Sequence, residues 1–424
     1  MNEGLIKNFD ELTTTPSRRM ALQIMEAGLS AIDTEKVIRS SISVVDNVLS
    51  VTGEEFDLKK FKKIKVVGFG KSSCEAALAL EKILGERISA GVVIGLEKVD
   101  TKYIETFAGS HPRPSKENVE VGEKIYKLLK DSTEDDLIIS LVSGGGSALL
   151  CYPDSECDES AKLYDSFLES GKTIKEINTV RKHLSLLKGG GLAKVAFPAT
   201  VIGLIFSDVP GDNFENVASG PTYKDETAVD DAKKIITENN LGEFNLIETP
   251  KENKYFEKVH NFILVSNKIA VEAMTEKAKS FGLETSIAST ELYDETNKAL
   301  EKIFSLKKDK TVVLAAGELS ISVAKGEGKG GRNLHLGLQA IKNGLIDENS
   351  LFISFASDGI DNSDVAGAVV DKETVDKAEK LGLSADDYLN NFNSYEFFKK
   401  TGDTIITGPT GANVSDLMIL LNKK

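Results

Sequence analysis

The sequence predicts an α/β fold of two domains, each a three-layer α/β/α sandwich. Three observations carry that reading. The chain has 424 residues, more than a single hydrophobic core usually serves. From Ile64 onward, short β-branched runs alternate with helical patterns, which is how βαβ units and a parallel sheet read in sequence. Between Gly242 and His260 the periodicity lapses into a charged stretch holding Thr249-Pro250, after which strand–helix alternation resumes. Residues 1–50 are thus a leading helical segment, 51–241 the first α/β domain, 242–260 a linker and 261–424 the second domain.

The leading segment reads as helix over Thr15–Leu49, because Leu22, Met25, Leu29, Ile32, Ile38, Ile42, Val45 and Leu49 recur mostly at steps of three and four. The missing step falls on Glu35 and marks a break between two helices. Thr15 before Pro16 suits an N-cap with proline at the first helical position.

Ile64–Val67 is the first strand, and Gly68-Phe69-Gly70-Lys71-Ser72-Ser73 turns it into a helix over Glu75–Leu84. A Walker A loop fails here, since the required first glycine is Lys65. A dinucleotide fingerprint fails too, since its third glycine is Ser73. What remains is an ammonium beside a helix N-terminus, an unfavourable placement unless an anion arrives. Ala90–Leu96 is the next strand, and Thr106–Pro114 a loop whose prolines hold His111 and Arg113 on extended backbone. A helix over Lys116–Leu129 leads to Asp136–Leu150, where a buried strand breaks into Ser143-Gly144-Gly145-Gly146-Ser147 and a helix begins. Three glycines let the main chain approach a ligand closely, and the N–H groups of such a turn suit an anion such as phosphate. The other reading is a tight loop with no ligand.

Lys175–Val195 is helical with glycines at 189–191, and it clusters Arg181, Lys182, His183 and Lys188. That cluster is either a solvated helix face or a patch for a carboxylate or phosphate. The strand Ala199–Phe206 ends in Ser207-Asp208-Val209-Pro210-Gly211-Asp212. Asp208 and Asp212 there either bind Mg²⁺, accept a proton or shape a turn.

In the second domain Phe262–Val265 opens the pattern, followed by strands at Thr285–Ser289 and Thr311–Ala315. The alternation over Gly317–Val323, which includes Glu318, predicts an antiparallel strand and hence a mixed sheet. Lys325–Asn333 is a second glycine-rich turn, with Arg332 placed like Lys71 to meet an anion. Leu351–Ala356 ends in an acidic loop over Ser357–Asp364, including Asp358, which reads as an Mg²⁺ or hydroxyl site or an Asp-rich turn.

Composition excludes several classes. No run approaches 18 apolar residues, so a membrane span is not expected, and residues 1–15 lack the basic region and apolar block expected of a secretory signal. A net charge of −14 argues against nucleic acid or anionic membranes as partners. Three cysteines and four histidines lack zinc-site spacing, and the cysteines are expected reduced in a cytoplasmic protein.

Taken together, these stretches resemble the glycerate 2-kinase family, whose C-terminal part is called the MOFRL domain. The resemblance rests on GFGKSS (68–73), SHPRP (110–114), SGGGSALL (143–150), NTVRKHLSLLKGGGLA (178–193) and SDVPGDNFENVASGPT (207–222). It continues through GEGKGGRN (326–333), ASDGIDNSDVAGAVVD (356–371) and GPTGANVSDL (408–417). It implies a Rossmann-like first domain, a mixed-sheet second domain, an active site in the cleft between them, and leading helices packed on the second domain. It also implies transfer of the ATP γ-phosphoryl group to D-glycerate with Mg²⁺ or a similar divalent ion, giving 2-phosphoglycerate. Lys71 and Arg332 match residues held to be catalytic in the family, and Asp208 matches the aspartate of the SDVPGD segment. The family usually follows GGRN with Gln-Glu, whereas Leu334 and His335 stand here, and Asn362 stands where glycine is commoner.

The resulting expectation seats the phosphates of ATP on Ser143–Ser147 and lets Lys71 and Arg332 clamp the transferring group. Asp208 orients or deprotonates the C2 hydroxyl, while Arg181 or His111 holds the carboxylate of glycerate. Asp208, Asp212, Glu318 and Asp358 are the candidate metal ligands. Two rivals stay open: an NAD(P)H-dependent hydroxypyruvate reductase, and a non-catalytic protein that binds a sugar acid or nucleotide. Oligomeric state is not legible, and a homodimer stays open.

Overall fold

The computed structural model describes residues 4–170, 174–211, 213–321 and 328–423. Two compact units emerge: one formed by Thr34–Leu264, the other by Met1–Asp33 together with Val265–Lys424.

The Thr34–Leu264 unit opens with the helix Thr34–Ser41 and a three-stranded antiparallel meander, β1 (Ile42–Val45), β2 (Val48–Val51) and β3 (Glu54–Asp57). This corrects the helix expected through Leu49. Asp46 and Asn47 both take left-handed backbone, φ 52° and 66°, which closes a two-residue hairpin and turns the apolar residues into strand positions. Its main sheet contains β4 (Lys63–Phe69), β5 (Ile88–Gly95), β6 (Glu105–Ala108), β7 (Asp136–Ser143), β8 (Thr200–Phe206) and β9 (Val259–Val265). The spatial order is β6-β5-β4-β7-β8-β9, with parallel pairing from β6 through β8. That is the doubly wound order of a Rossmann-like sheet, and the direction of winding reverses between β4 and β7. Val67, Phe69, Ile138 and Val142 line its core, where every residue of β7 is buried. β9, read from sequence as the opening of the second domain, instead forms the far edge of this sheet, beside β8. Half-buried positions along β9 fit an edge strand.

In the other unit the sheet contains β10 (Glu284–Leu292), β11 (Thr311–Gly317), β12 (Ser350–Ala356), β13 (Gly367–Asp371), β14 (Thr404–Ile405) and β15 (Asp416–Asn422). Its order is β10-β11-β15-β12-β13-β14. β10 and β11 are parallel, and the other pairings are antiparallel. The sheet is mixed, although not through the expected strand at Gly317–Val323. β11 stops at Gly317, Ser320 makes only an isolated parallel bridge with Glu295, and 322–323 lie outside the described residues. The chain's last strand, β15, supplies the antiparallel element by inserting between β11 and β12.

The helix Pro16–Ala31 belongs to this second unit. The Thr15 side chain caps it by accepting from Arg18 N. Its Gly28 lies so near Met274 that a Cβ there would sit 2.8 Å from that side chain. Arg18 is 1% exposed and its guanidinium meets Asp371 at 2.7 Å and Asp403 at 2.8 Å. No helix among the described residues is long and apolar enough to cross a membrane.

Candidate functional site

In a doubly wound sheet, ligands bind beyond the carboxyl ends of the strands where the winding reverses. In the Thr34–Leu264 unit that point lies between β4 and β7, and two glycine turns meet there. Lys71 N donates to Gly144 O at 2.8 Å, and Ser72 N donates to Ser143 Oγ at 3.1 Å. The approach is close enough that a side chain at Gly70, whose φ is 125°, would collide with Ser143. Gly145 has φ 79°, and a Cβ there would lie 3.0 Å from Lys71 and 3.1 Å from His111. Lys71, Gly145 and His111 therefore share one small space.

The helix following the turn spans only Gly146–Leu149, so its dipole contributes little. What the turn does offer is main-chain donors. Among the described residues, no protein acceptor takes the N–H groups of Gly144, Gly145, Gly146 or Ser147. A run of such groups beside an ammonium forms an anion-binding concavity.

Charge reinforces this. Lys71, His111 and Arg181 form no ion pair with any acidic side chain among the described residues. His111 has its pKa lowered to about 4, first by desolvation against the turn and then by the positive charges of Lys71 and Arg181. Burial also pushes the Arg181 guanidinium below its ordinary value. The rest of the basic cluster serves structure. Lys182 pairs with Asp225 at 3.2 Å, Lys188 pairs with Glu156 with both side chains fully buried, and His183 Nδ1 contacts Ile247 O. Arg113 turns outward to Asp165. So Lys182, His183 and Lys188 have partners within the fold, and Arg181 alone of the four forms no ion pair or hydrogen bond through its side chain among the described residues.

Asp208, just past the end of β8, packs over Gly144, where any Cβ would collide with its carboxylate. Asp212 lies outside the described residues. Sequence reasoning missed a supporting chain of hydrogen bonds behind the turn: Ser147 Oγ to Ser219 Oγ at 2.9 Å, and Ser219 Oγ to Asn178 Oδ1 at 3.2 Å. Ala218 and Ser219 both have left-handed backbone, φ 51° and 60°, strain that brings their loop against Gly146. Asn178 precedes Arg181 by one helical turn, which is the only signal of it that sequence offers.

The second unit carries a centre of its own at Arg332. Register places Asp416 opposite both Gly317 and Ala356, so Glu318, the loop after β12 and the start of β15 converge. Arg332 opens the helix Arg332–Lys342. Its Nη1 donates to Glu318 Oε1 at 2.7 Å, and its Nε lies 3.0 Å from Asp416 Oδ2. The latter is an ion pair without hydrogen-bond alignment, since Asp416 Oδ2 accepts no hydrogen bond. Asp416 Oδ1 accepts from Asn333 Nδ2 at 2.7 Å. Burial raises the Asp416 carboxyl to about 7 against the opposing pull of Arg332.

Asp361 accepts from Asn333 N and Leu334 N at 3.1 and 2.8 Å, and so occupies the N-terminus of that helix. This is the role of the acidic loop that sequence did not reveal. Asp358 Oδ1 accepts from Ile360 N at 3.0 Å, which is turn chemistry. Asn362 has φ 48°, a conformation that glycine adopts freely and asparagine tolerates. A cavity of about 580 Å³ opens here, lined by Arg332, His335, Asp358, Asp361, Phe392 and Asp416 among others.

Of the four candidate metal ligands, Asp208 lies in the Thr34–Leu264 unit, Glu318 and Asp358 lie in the other unit, and Asp212 lies outside the described residues. Among the described residues, no three His, Cys, Asp or Glu side chains converge as a metal site.

Comparison with known proteins agrees with this architecture. Residues 20–247 match the DUF4147 domain family, described as a domain of unknown function, and residues 311–416 match the MOFRL family. The chain is 35% identical to the glycerate 2-kinase of Pyrococcus horikoshii, over 95% of this chain and 97% of that protein. It is 32% identical to the D-glycerate 2-kinase of Thermotoga maritima, again over 95% and 97%. A protein of Agrobacterium vitis with the provisional name hydroxypyruvate reductase is 35% identical over 84% of this chain and 86% of its own. The crystal structure of glycerate kinase from Thermotoga maritima superposes with a TM-score of 0.84 at 31% identity, covering 95% of this chain and 99% of that one.

Proposed function

The chain belongs to the glycerate 2-kinase family, and on that premise we propose that it transfers the γ-phosphoryl group of ATP to the C2 hydroxyl of D-glycerate. The observation that carries this reading is the basic trio Lys71, His111 and Arg181, unpaired among the described residues, beside a turn whose N–H groups have no acceptor among them. An acidic protein that holds three basic side chains without acidic partners has a place for an anion.

In this reading the N–H groups of Gly144–Ser147 receive phosphate oxygens, and Lys71 neutralises charge on the transferring group. Arg181 and neutral His111 hold the glycerate carboxylate. Asp208 orients the hydroxyl and draws its proton as the new O–P bond forms. Arg332 is the second cation of the transfer step. Mg²⁺ is commonly held by one or two carboxylates plus phosphates, and Asp208, beside the Gly144 turn, would hold it here. The ion would supply charge neutralisation on the phosphates. Phosphoryl transfer asks the protein mainly for positioning and charge stabilisation, which suits this donor set. The reaction is assigned to the cytoplasm.

The deciding experiment measures ADP release from ATP and D-glycerate, with ³¹P and ¹³C NMR of the product. Phosphorus coupled to C2 is the expected result. Formation of 3-phosphoglycerate alone overturns the regiochemistry. NADH or NADPH oxidation with hydroxypyruvate, without glycerate-dependent ADP release, overturns the kinase reading in favour of the reductase. Gly70-Lys71-Ser72-Ser73 speaks against that outcome, since a lysine and a missing third glycine occupy the turn a dinucleotide would use.

A further inference from the structure

The cavity beside Arg332 has features that phosphate chemistry does not account for. His335 and Phe392 line it with their rings stacked, centroids 5.8 Å apart and planes 15° from parallel. Ile360, also on its wall, is 49% exposed and offers an aliphatic face to the cavity. Phe392 holds its position at some cost, since its φ is 49°, a left-handed conformation that aromatic residues rarely adopt. Backbone bonds from Phe392 N to Leu389 O and from Asn393 N to Tyr388 O fix it there. The glycine turn is tied to the same loop: Tyr395 N donates to Lys329 O, and side chains at Gly328 or Gly330 would collide with residues 391–394.

The charged groups of the cavity narrow its occupant. Asp358, Asp361 and Asp416 line it, and a polyphosphate placed among three carboxylates would be repelled. The helix N-terminus is no anion site either, because Asp361 already takes its N–H groups. A neutral, flat, hydroxyl-bearing group suits such a place: aromatic and aliphatic walls for its faces, carboxylate oxygens for its hydroxyl and amino donors. Burial lowers the His335 pKa, which keeps the imidazole neutral for stacking.

We propose that this cavity receives the nucleoside end of the phosphoryl donor, with a purine base against His335, Phe392 and Ile360 and sugar hydroxyls on Asp358. The polyphosphate leaves the cavity past Arg332. The proposal rests on reading the protein as a nucleotide-dependent kinase, but its test requires no glycerate and no turnover.

Isothermal titration of the full chain with a non-hydrolysable ATP analogue and with inorganic tripolyphosphate, for wild type, His335→Ala, Phe392→Leu and Ile360→Ala, separates base from phosphate contacts. Losing a base–aromatic stack should weaken the analogue by about five- to a hundredfold while leaving tripolyphosphate unchanged. Unchanged affinity for the analogue in His335→Ala and Ile360→Ala overturns the proposal, as does equal weakening of both ligands. Ile360→Ala removes an exposed side chain, so it reports on binding even where Phe392→Leu fails to fold. A protein that binds the analogue in this way and yet releases no ADP with glycerate would sink the glycerate reading and leave this one standing.

Discussion

Arg332 Nε and Asp416 Oδ2 lie 3.0 Å apart, yet that oxygen accepts no hydrogen bond, so this pairing rests on charge, and the bond from Nη1 to the exposed Glu318 carboxylate is one that a stronger anion can displace. A cation meant for a transferring phosphoryl group needs that freedom. Replacing Arg332 or Lys71 by alanine should lower kcat by on the order of 10²–10³, the loss seen when one charge-stabilising donor is removed. Steady-state kinetics with saturating ATP and glycerate checks it; two variants with wild-type kcat would remove both residues from the mechanism.

Asp416 also predicts a pH effect. Its folded pKa, about 7, lies above the ordinary 3.8, so between those values the folded chain binds more protons than the unfolded one. This group's contribution to stability therefore falls as pH rises from about 4 to about 7. Asp416→Asn should remove that slope, becoming more stable relative to wild type as pH increases through the window. Urea unfolding of both proteins at pH 4, 5.5 and 7 tests it; a gap that does not change with pH contradicts the assignment.

His111 gives the opposite sign. With a folded pKa near 4 against an ordinary 6.5, the unfolded chain binds more protons in between, and stability rises with pH across that window. An anion bound beside Lys71 and Arg181 would cancel the repulsion and raise the pKa. NMR titration of the imidazole should show it near 4 in the free protein and higher with D-glycerate; an identical titration in both states would separate His111 from the anion site.

Gly144→Ala isolates the turn. Its new methyl group would meet the Asp208 carboxylate, forcing that residue away from the Gly144–Ser147 amides. Activity should drop at least about tenfold while the melting temperature changes little, because misplacing a reacting group by about 1 Å is that costly. Retention of full activity would show that Asp208 does not act from this position.

Much of this arrangement is legible in the sequence because it depends on local signals. Strands β4, β7, β8, β11 and β12 read clearly as apolar runs, and each ends in a glycine- or aspartate-bearing turn. The β1–β2 hairpin was hidden by its turn, since Asp46-Asn47 lacks the glycine that usually betrays such a loop and the flanking apolar spacing imitates a helix. β9 reads from sequence as part of the second domain for another reason: which sheet a strand joins is decided by contacts far away in the chain. The same holds for the sites. Lys71, Arg332 and the glycine turns announce themselves locally. The roles of Asp361, Asp416, Ser219 and Asn178 arise only when separate loops meet.

The Arg18 clamp has a consequence for how the chain is made. Arg18 emerges early in synthesis, but Asp371 and Asp403 follow 353 and 385 residues later, so the helix Pro16–Ala31 must wait for the end of the chain before its guanidinium is neutralised. The Thr34–Leu264 unit, by contrast, is continuous in sequence. Replacing Arg18 by methionine should cost about 3–5 kcal/mol, the usual penalty for stranding a buried charge. A fragment beginning at Val265 should likewise remain unfolded on its own and recover structure when a peptide spanning residues 4–33 is added, as circular dichroism would record. The N-terminal helix thus acts as a late closing stitch, and a nascent chain stalled before Asp403 would expose it to proteases and chaperones.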